Sequence, residues 1–348
     1  MMNPSPKTSI SAENAYIASC VIITMMSRPD FVEKQVLCLE STDAKRLSFR
    51  NSNLVLTDEN GKIALQHSCH KIFVVFIRGE FTITSALLKN AKRFCIPLVF
   101  LNYSLRAYLV FNAGTEGNFL LRKMQYSCKY ETEIAKHVIT NKICNQLRLM
   151  QSIRYKTKSE KVSVQTMQDL LKSAQSVRSS QDLLGIEGTA SKLFFQTYFK
   201  NMGFKGRKPR IKSDMYNVLL DIGYTYLFQF IEANLNLYGF DTYCGFYHKL
   251  FFQRKSLVCD IIEPFRCIID RRLRTSYNLK QIREDDFACS QNRFELKRDS
   301  AKKYTELFLR TVLEHKEDIF LYVQSYYRAF IKKKEIRQYP VFDIGGVE

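Results

Sequence analysis

Asn112-Ala113-Gly114-Thr115-Glu116-Gly117-Asn118 separates two kinds of hydrophobic pattern, and the fold is read outward from it. Upstream, apolar residues gather in short β-branched and aromatic runs. Ile72-Phe73-Val74-Val75-Phe76-Ile77 is a continuous run of this kind and predicts a buried strand. Leu54-Val55-Leu56 and Ile63-Ala64-Leu65 flank Asp58-Glu59-Asn60-Gly61, a turn-rich loop that predicts a hairpin. Thr82 to Phe94 carries Ile83, Leu87 and Ala91 at helical spacing, and Pro97 to Leu101 returns to strand. Downstream the period changes to a helical one, in Ile134, Val138, Ile143 and Leu147, then Leu170, Leu171 and Val177, then Leu219, Ile222, Tyr226 and Phe230. Arg154 to Lys161 reads as a polar break between helices. The pattern predicts an α+β protein. Its parts are a loose polar extension at 1–18, a β-strand-rich domain at 19–111, a linker at 112–125 and an all-α domain at 126–348.

Composition narrows the function. Hydrophobic residues make up 46% of the 348 and charged residues 25%, which is a globular and not a disordered balance. Lys and Arg number 53 against 34 Asp and Glu, a net charge of +19, and the sequence pI is near 9.4. Such an excess disfavours a self-contained metabolic enzyme and points to a polyanionic partner. Ala15 to Met26 is the longest apolar run, and its roughly twelve residues fall short of the ~20 that span a bilayer. It also lacks a basic leader, so neither a signal peptide nor a membrane partner is expected. The cysteines are scattered with no C-x-x-C pair, the pattern of reduced thiols in a cytoplasmic protein without structural zinc.

Three segments of the helical region carry chemistry. Gly185-Ile186-Glu187-Gly188-Thr189-Ala190-Ser191 is read as opening a helix with Leu183, Ile186, Ala190, Phe194 and Thr197 on its apolar stripe. Glu187 lies at the edge of that stripe, among small residues that permit close approach. A first-turn glutamate favoured by the helix dipole is the plainer reading. In Tyr238 to His248, glycines bracket a loop that delivers His248 into an aromatic stretch, as a ligand, a base or a hydrogen-bonded core residue. His67, His70, His137 and His315 do not sit beside spaced carboxylates in a comparable setting and read as structural.

Ser256 to Arg266 then places Asp260 and Glu263 three residues apart, hence on one helical face, among Leu257, Val258, Ile261, Ile262 and Phe265. Pro264 loosens the helix at the pair. Carboxylates in such surroundings require a cation. Arg266 supplies one in the bland reading; in the sharper one, Glu187, His248 and Glu263 hold a divalent ion with Asp260 close by. Oxygen ligands with one imidazole suit Mg²⁺ or Mn²⁺, and in a basic protein such a centre fits phosphodiester chemistry.

The chain resembles the CRISPR-associated endonuclease–integrase family of the spacer-acquisition complex, from about Ala44 onward. The residues that carry the resemblance are Phe76 to Thr84, Arg122 to Tyr126, Ala135 to Gln146 and Asn217 to Tyr224, together with the glutamate, histidine and Asp-x-x-Glu segments. It implies a β domain that mediates a homodimer, joined to a helical catalytic domain. It places the metal ligands on Glu187, His248 and Glu263, with Asp260 as the neighbouring acid. It implies metal-dependent DNA cleavage with little sequence preference. It also implies transfer of the 3′-hydroxyls of a double-stranded prespacer into the CRISPR repeat, together with a small dimeric second protein, in a prokaryotic cytoplasm. Thr242 stands where the family commonly has proline, and Asp221 where a small polar residue is usual.

Basic residues flank this centre in sequence. Arg207, Lys208, Arg210 and Lys212 lie between the Glu187 and Asn217 helices, Arg254 and Lys255 follow His248, and Arg271, Arg272 and Arg274 follow the carboxylate pair. Clusters of this kind neutralise phosphates without reading sequence. Two other readings stay open: a non-catalytic DNA-binding scaffold with Asp260 and Glu263 paired to Arg266 or Arg271, and a stand-alone repair nuclease for branched DNA.

Overall fold

The computed structural model describes residues 26–345 apart from 115, 116, 205, 210 and 292, with the backbone alone at 42–44. The extension expected at 1–18 lies outside the described residues.

A short helix α1 (Arg28–Val32) leads into β1 (Gln35–Arg50), β2 (Asn53–Thr57), β3 (Ile63–Ser68) and β4 (Ile72–Ile83). Helix α2 (Ser85–Arg93), β5 (Leu98–Leu101) and β6 (Ala107–Phe111) follow. The strands form one sheet in the order β3-β2-β1-β4-β5-β6. Its centre is parallel (β1 with β4, β4 with β5) and its outer pairs are antiparallel. The expected hairpin is present as β2–β3, paired with Leu56 opposite Leu65.

The unbroken apolar run in β4 has a physical reason. Val75 and Ile77 pack with Leu87 and Ala91 of α2 on one face of the sheet, while Val74 and Phe76 pack into the helical core on the other. A strand covered on both faces needs no polar alternation. Of the stretch expected to be helical from Thr82, Ile83 belongs to β4, and α2 starts only at Ser85, behind the Thr84 cap.

The helical region contains α3 (Phe119–Tyr126), α4 (Glu131–Gln151), α5 (Lys158–Ser176), α6 (Ser180–Tyr198) and α7 (Met215–Tyr238). It continues with α8 (Ser256–Ile262), α9 (Arg266–Asn278), α10 (Ala301–Glu314) and α11 (Lys316–Ile331). It is not purely helical, because β7 (Phe287–Ser290) and β8 (Arg293–Leu296) form a small antiparallel hairpin. The α7 helix is buried on nearly every side and acts as the axle of the region. Its Tyr226 and Phe230 meet Phe76 and Phe73 of β4 edge-on, with ring centroids 5.1 and 5.3 Å apart. These contacts join the sheet to the helices. Among the described residues, no helix is long and apolar enough to cross a membrane, and the described cysteines are all free thiols.

Candidate active site

Glu187 and Glu263 reach the same point from different elements. The α6 helix begins at Ser180, five residues ahead of the expected start, because the Ser179 side chain accepts the Asp182 amide. Glu187 is therefore in mid-helix, and its position needs a tertiary partner and not the helix dipole. Its Oε1 accepts the Ser191 hydroxyl one turn on, at 2.8 Å, and pairs with the ammonium of Lys142 on α4.

Glu263 stands where α8 tightens into a 3₁₀ turn over Glu263–Phe265, the loosening expected of Pro264. Asn145 of α4 holds that turn by donating to the Pro264 carbonyl at 3.1 Å. Glu263 is 4% exposed; Arg266 pairs with its Oε1 at 3.0 Å and Lys142 with its Oε2 at 2.7 Å. Burial works against the Glu263 charge, but Arg266 and Lys142 hold its pKa down at about 2. Burial likewise opposes the charge on Lys142, and the two glutamates overcome it and raise its pKa above that of an ordinary lysine.

Asp260, 2% exposed, organises the histidine loop. Its Oδ2 accepts the amides of Phe246 at 2.6 Å and Tyr247 at 3.0 Å. Its Oδ1 accepts the amide of His248 at 2.9 Å and lies 2.7 Å from Nδ1 of the same residue. The loop leaves α7 through Gly239, left-handed at φ 78°. It passes so close to α8 that a Cβ on Gly245 would stand 2.8 Å from Asp260 Oδ2. Gln125 of α3, fully buried, supports the loop by donating to the Asp241 and Cys244 carbonyls and accepting the Asp241 amide. With Nδ1 facing Asp260, the imidazole is oriented through Nε2, the usual arrangement of a ligating or proton-handling histidine. Desolvation of the half-buried Tyr247, followed by the negative charges of Glu187, Glu263 and Asp260, pushes its phenolic pKa well above the ordinary range.

The sequence expectation thus meets two pairs, Glu187 with Glu263 across Lys142, and Asp260 with His248. Lys142 was missed. It lies on the buried face of α4 with Val138, Asn145 and Leu149, where a lysine on an apolar stripe was the available signal. Arg266 is present as the salt-bridge partner that the plainer reading required. Among the described residues, no three His, Cys, Asp or Glu side chains converge as they stand into a metal-holding group. The donor set nevertheless fits a hard divalent ion. Two carboxylates share one cationic position, buried Glu263 Oε2 makes no hydrogen bond besides its ion pair with Lys142, and a carboxylate-anchored imidazole lies near enough to act on the Glu263 charge.

A cavity of about 960 Å³ opens from Glu187 and Glu263 toward the sheet, with Arg106, Lys192, Arg207 and Arg266 on its walls. Of the basic residues singled out in sequence, Lys208 is exposed, and Arg210 lies outside the described residues. Arg207 is tied to Asp221 at 2.6 Å and lies over the Tyr224 ring, with Arg266 over the same ring. Lys212 is buried against Glu295. Arg254 donates to the Lys249 carbonyl. Arg271 contacts Ile344 and His315, and Arg272 contacts Thr311 and Glu314. The other four histidines have local structural partners: Gln35 for His67, Phe94 for His70, Pro340 for His137 and Asp318 for His315.

A strand-rich sheet docked on a helical region that gathers two glutamates and an Asp–His pair defines a two-part α+β protein with an acidic, imidazole-bearing centre. A family model described as CRISPR associated protein Cas1 matches residues 40–310, so the chain belongs to the Cas1 family. CRISPR-associated endonuclease Cas1 1 of Thermodesulfovibrio yellowstonii is 29% identical over 75% of this chain and 87% of its own. The fold matches a chain of a Cas6-RT-Cas1–Cas2 complex with TM-score 0.77 at 21% identity, covering 90% of this chain but 36% of that longer one. It also matches a casposase bound to integration product, with TM-score 0.73 at 21% identity over 90% of this chain and 96% of the other.

Proposed function

We propose that this protein is a divalent-metal-dependent DNA endonuclease and integrase that inserts foreign DNA fragments into a CRISPR array. The observation that carries the reading is the convergence of Glu187 and Glu263 on a cation-walled cavity in a Cas1-family chain, together with a separate His248 held by Asp260. Glu187, Glu263 and Nε2 of His248 would hold Mg²⁺ or Mn²⁺. When bound, the ion supplies polarisation of the scissile phosphate and charge for the leaving oxygen. Asp260 fixes the imidazole, and Arg266 keeps Glu263 ionised so that it can serve as a ligand. The nucleophile comes from outside the chain, a DNA 3′-hydroxyl in integration and water in cleavage, so no Ser–His or Cys–His pair is needed.

The net charge of +19 supports double-stranded DNA, both prespacer and repeat, as the substrate. The endonuclease relative and the casposase and Cas1–Cas2 neighbours support the same substrate and a small second protein as partner. Association as a homodimer through the β domain belongs to the same proposal. One observation favours the scaffold reading instead: Lys142 and Arg266 already neutralise Glu187 and Glu263.

A strand-transfer assay separates the two. A supercoiled repeat-bearing plasmid, a labelled prespacer and the small partner are combined with wild type or His248→Ala, in Mn²⁺, in Mg²⁺ or in EDTA. Joined product that needs metal and disappears in the variant is expected. DNA binding without joining or cutting in either metal would make the protein a scaffold.

A further inference from the structure

Lysine is rarely buried fully, and taking its ammonium out of water is costly unless carboxylates compensate. Lys142 is 8% exposed, and its ammonium faces Glu187 Oε1 and Glu263 Oε2 together. Ser191 donates to the same Glu187 Oε1, whereas Arg266 takes the second oxygen of Glu263. Lys142 therefore holds the two oxygens that face each other across the centre. A cation that bridges the two glutamates through these facing oxygens must share them with it.

We propose that Lys142 is a positioning residue of the metal centre, an internal counter-ion that gathers Glu187 and Glu263 and competes with a divalent cation for their facing oxygens. The inference rests on the metal-dependent reading above and adds how the chain sets its own affinity for the ion. With Lys142 and Arg266 the glutamate pair is already electrically balanced, so an arriving dication meets a neutral cluster and a like charge at contact range. Lys142 also borders the 960 Å³ cavity, which gives its ammonium room to withdraw. The centre would then be collected before it is loaded, at the expense of tight ion binding.

A purely structural salt bridge and a competing counter-ion differ in the sign of one measurement. Removing a structural bridge disorders the glutamates and weakens metal binding. Removing a competitor strengthens it. Mn²⁺ affinity by titration calorimetry, and melting with and without Mn²⁺, are to be measured for wild type, Lys142→Met and Lys142→Gln. The glutamine amide can still donate to both carboxylates without charge, so this variant serves if the methionine variant does not fold.

Loss of one unit charge at contact range predicts Mn²⁺ binding tighter by at least about tenfold. It also predicts a lower melting point without metal and a larger gain on adding it than in wild type. Mn²⁺ affinity unchanged or weaker in the variants, with wild-type binding intact, overturns the proposal and leaves the metal reading standing. Absence of Mn²⁺ binding in wild type and both variants overturns both. Binding that appears only in the variants supports the proposal in its strongest form.

Discussion

Asp260→Asn tests whether the histidine loop is held by a charge or only by shape. The wild-type carboxylate accepts two contacts at each oxygen: Phe246 and Tyr247 amides at Oδ2, and the His248 amide and Nδ1 at Oδ1. Asparagine has nearly the same shape but only one oxygen. Whichever way its amide turns, an NH₂ group faces two contacts that a carboxylate oxygen had accepted. The loop packs closely against Ser256 at Gly245, so it cannot move away without losing that packing. With the amide turned toward His248, only that residue's N–H is stranded, because Nδ1 can accept from the NH₂ in its other tautomer. A buried donor left unsatisfied costs about 1–3 kcal/mol, so the substitution should lower stability by about 1–3 kcal/mol. Urea unfolding at neutral pH measures this, and amide exchange at 246–248 should speed up with it. A variant within about 0.5 kcal/mol of wild type, the range of an ordinary surface substitution, with unchanged exchange at those amides, would refute the reasoning.

Asp270, buried on α9, has its pKa pushed up to about 7 by burial, against the opposing Tyr224 hydrogen bond at 2.6 Å and the nearby Arg266 and Arg207. A carboxyl whose pKa is raised on folding favours the native state fully below its unfolded value of 3.8, and that contribution is lost as pH rises toward 7. Wild-type urea midpoints should therefore fall between pH 4 and pH 7 by a component that Asp270→Asn lacks; parallel curves for the two proteins would contradict it. Exposed Lys208 and internally paired Arg272 should behave oppositely. Lys208→Ala should weaken DNA affinity and shallow its salt dependence with little effect on stability, whereas Arg272→Ala should lower stability and leave DNA affinity unchanged, as binding titrations at several salt concentrations would show.

The parts of the fold legible in sequence are those where one requirement dominates. The β4 run could be read because both faces of that strand are buried, and α7 because its apolar positions persist over many turns. The β1 strand was less legible: it continues through a register shift between Ser41 and Lys45, and its exposed and buried positions do not alternate cleanly. The β7–β8 hairpin is short and mostly exposed, so it carries no hydrophobic signature. The start of α6 was misplaced because a polar first turn, Ser180-Gln181-Asp182, has no apolar periodicity and is held by the Ser179 cap alone. For the basic residues, sequence displays charge but not partners. Arg271 and Arg272 look as available for phosphate as Lys208 does, until the Ile344 carbonyl and Glu314 are seen beside them.

The site shows the same division at higher stakes. Acidic spacing in an apolar segment announces that a cation must be near, and this follows from desolvation alone. Which cation it is depends on how α4, α6 and α8 cross, and that is long-range geometry. Asp260 is satisfied by backbone amides and the His248 ring, so it demands no metal. Glu187 and Glu263 are satisfied by Lys142 and Arg266, and only in part by hydrogen bonds. In the proposed metal centre, the two carboxylates left to an ion are therefore those partnered by side-chain cations, while the carboxylate locked by backbone donors aims the histidine. That difference in how each acid is held is the physical basis for assigning Glu187 and Glu263 to the ion and Asp260 to His248.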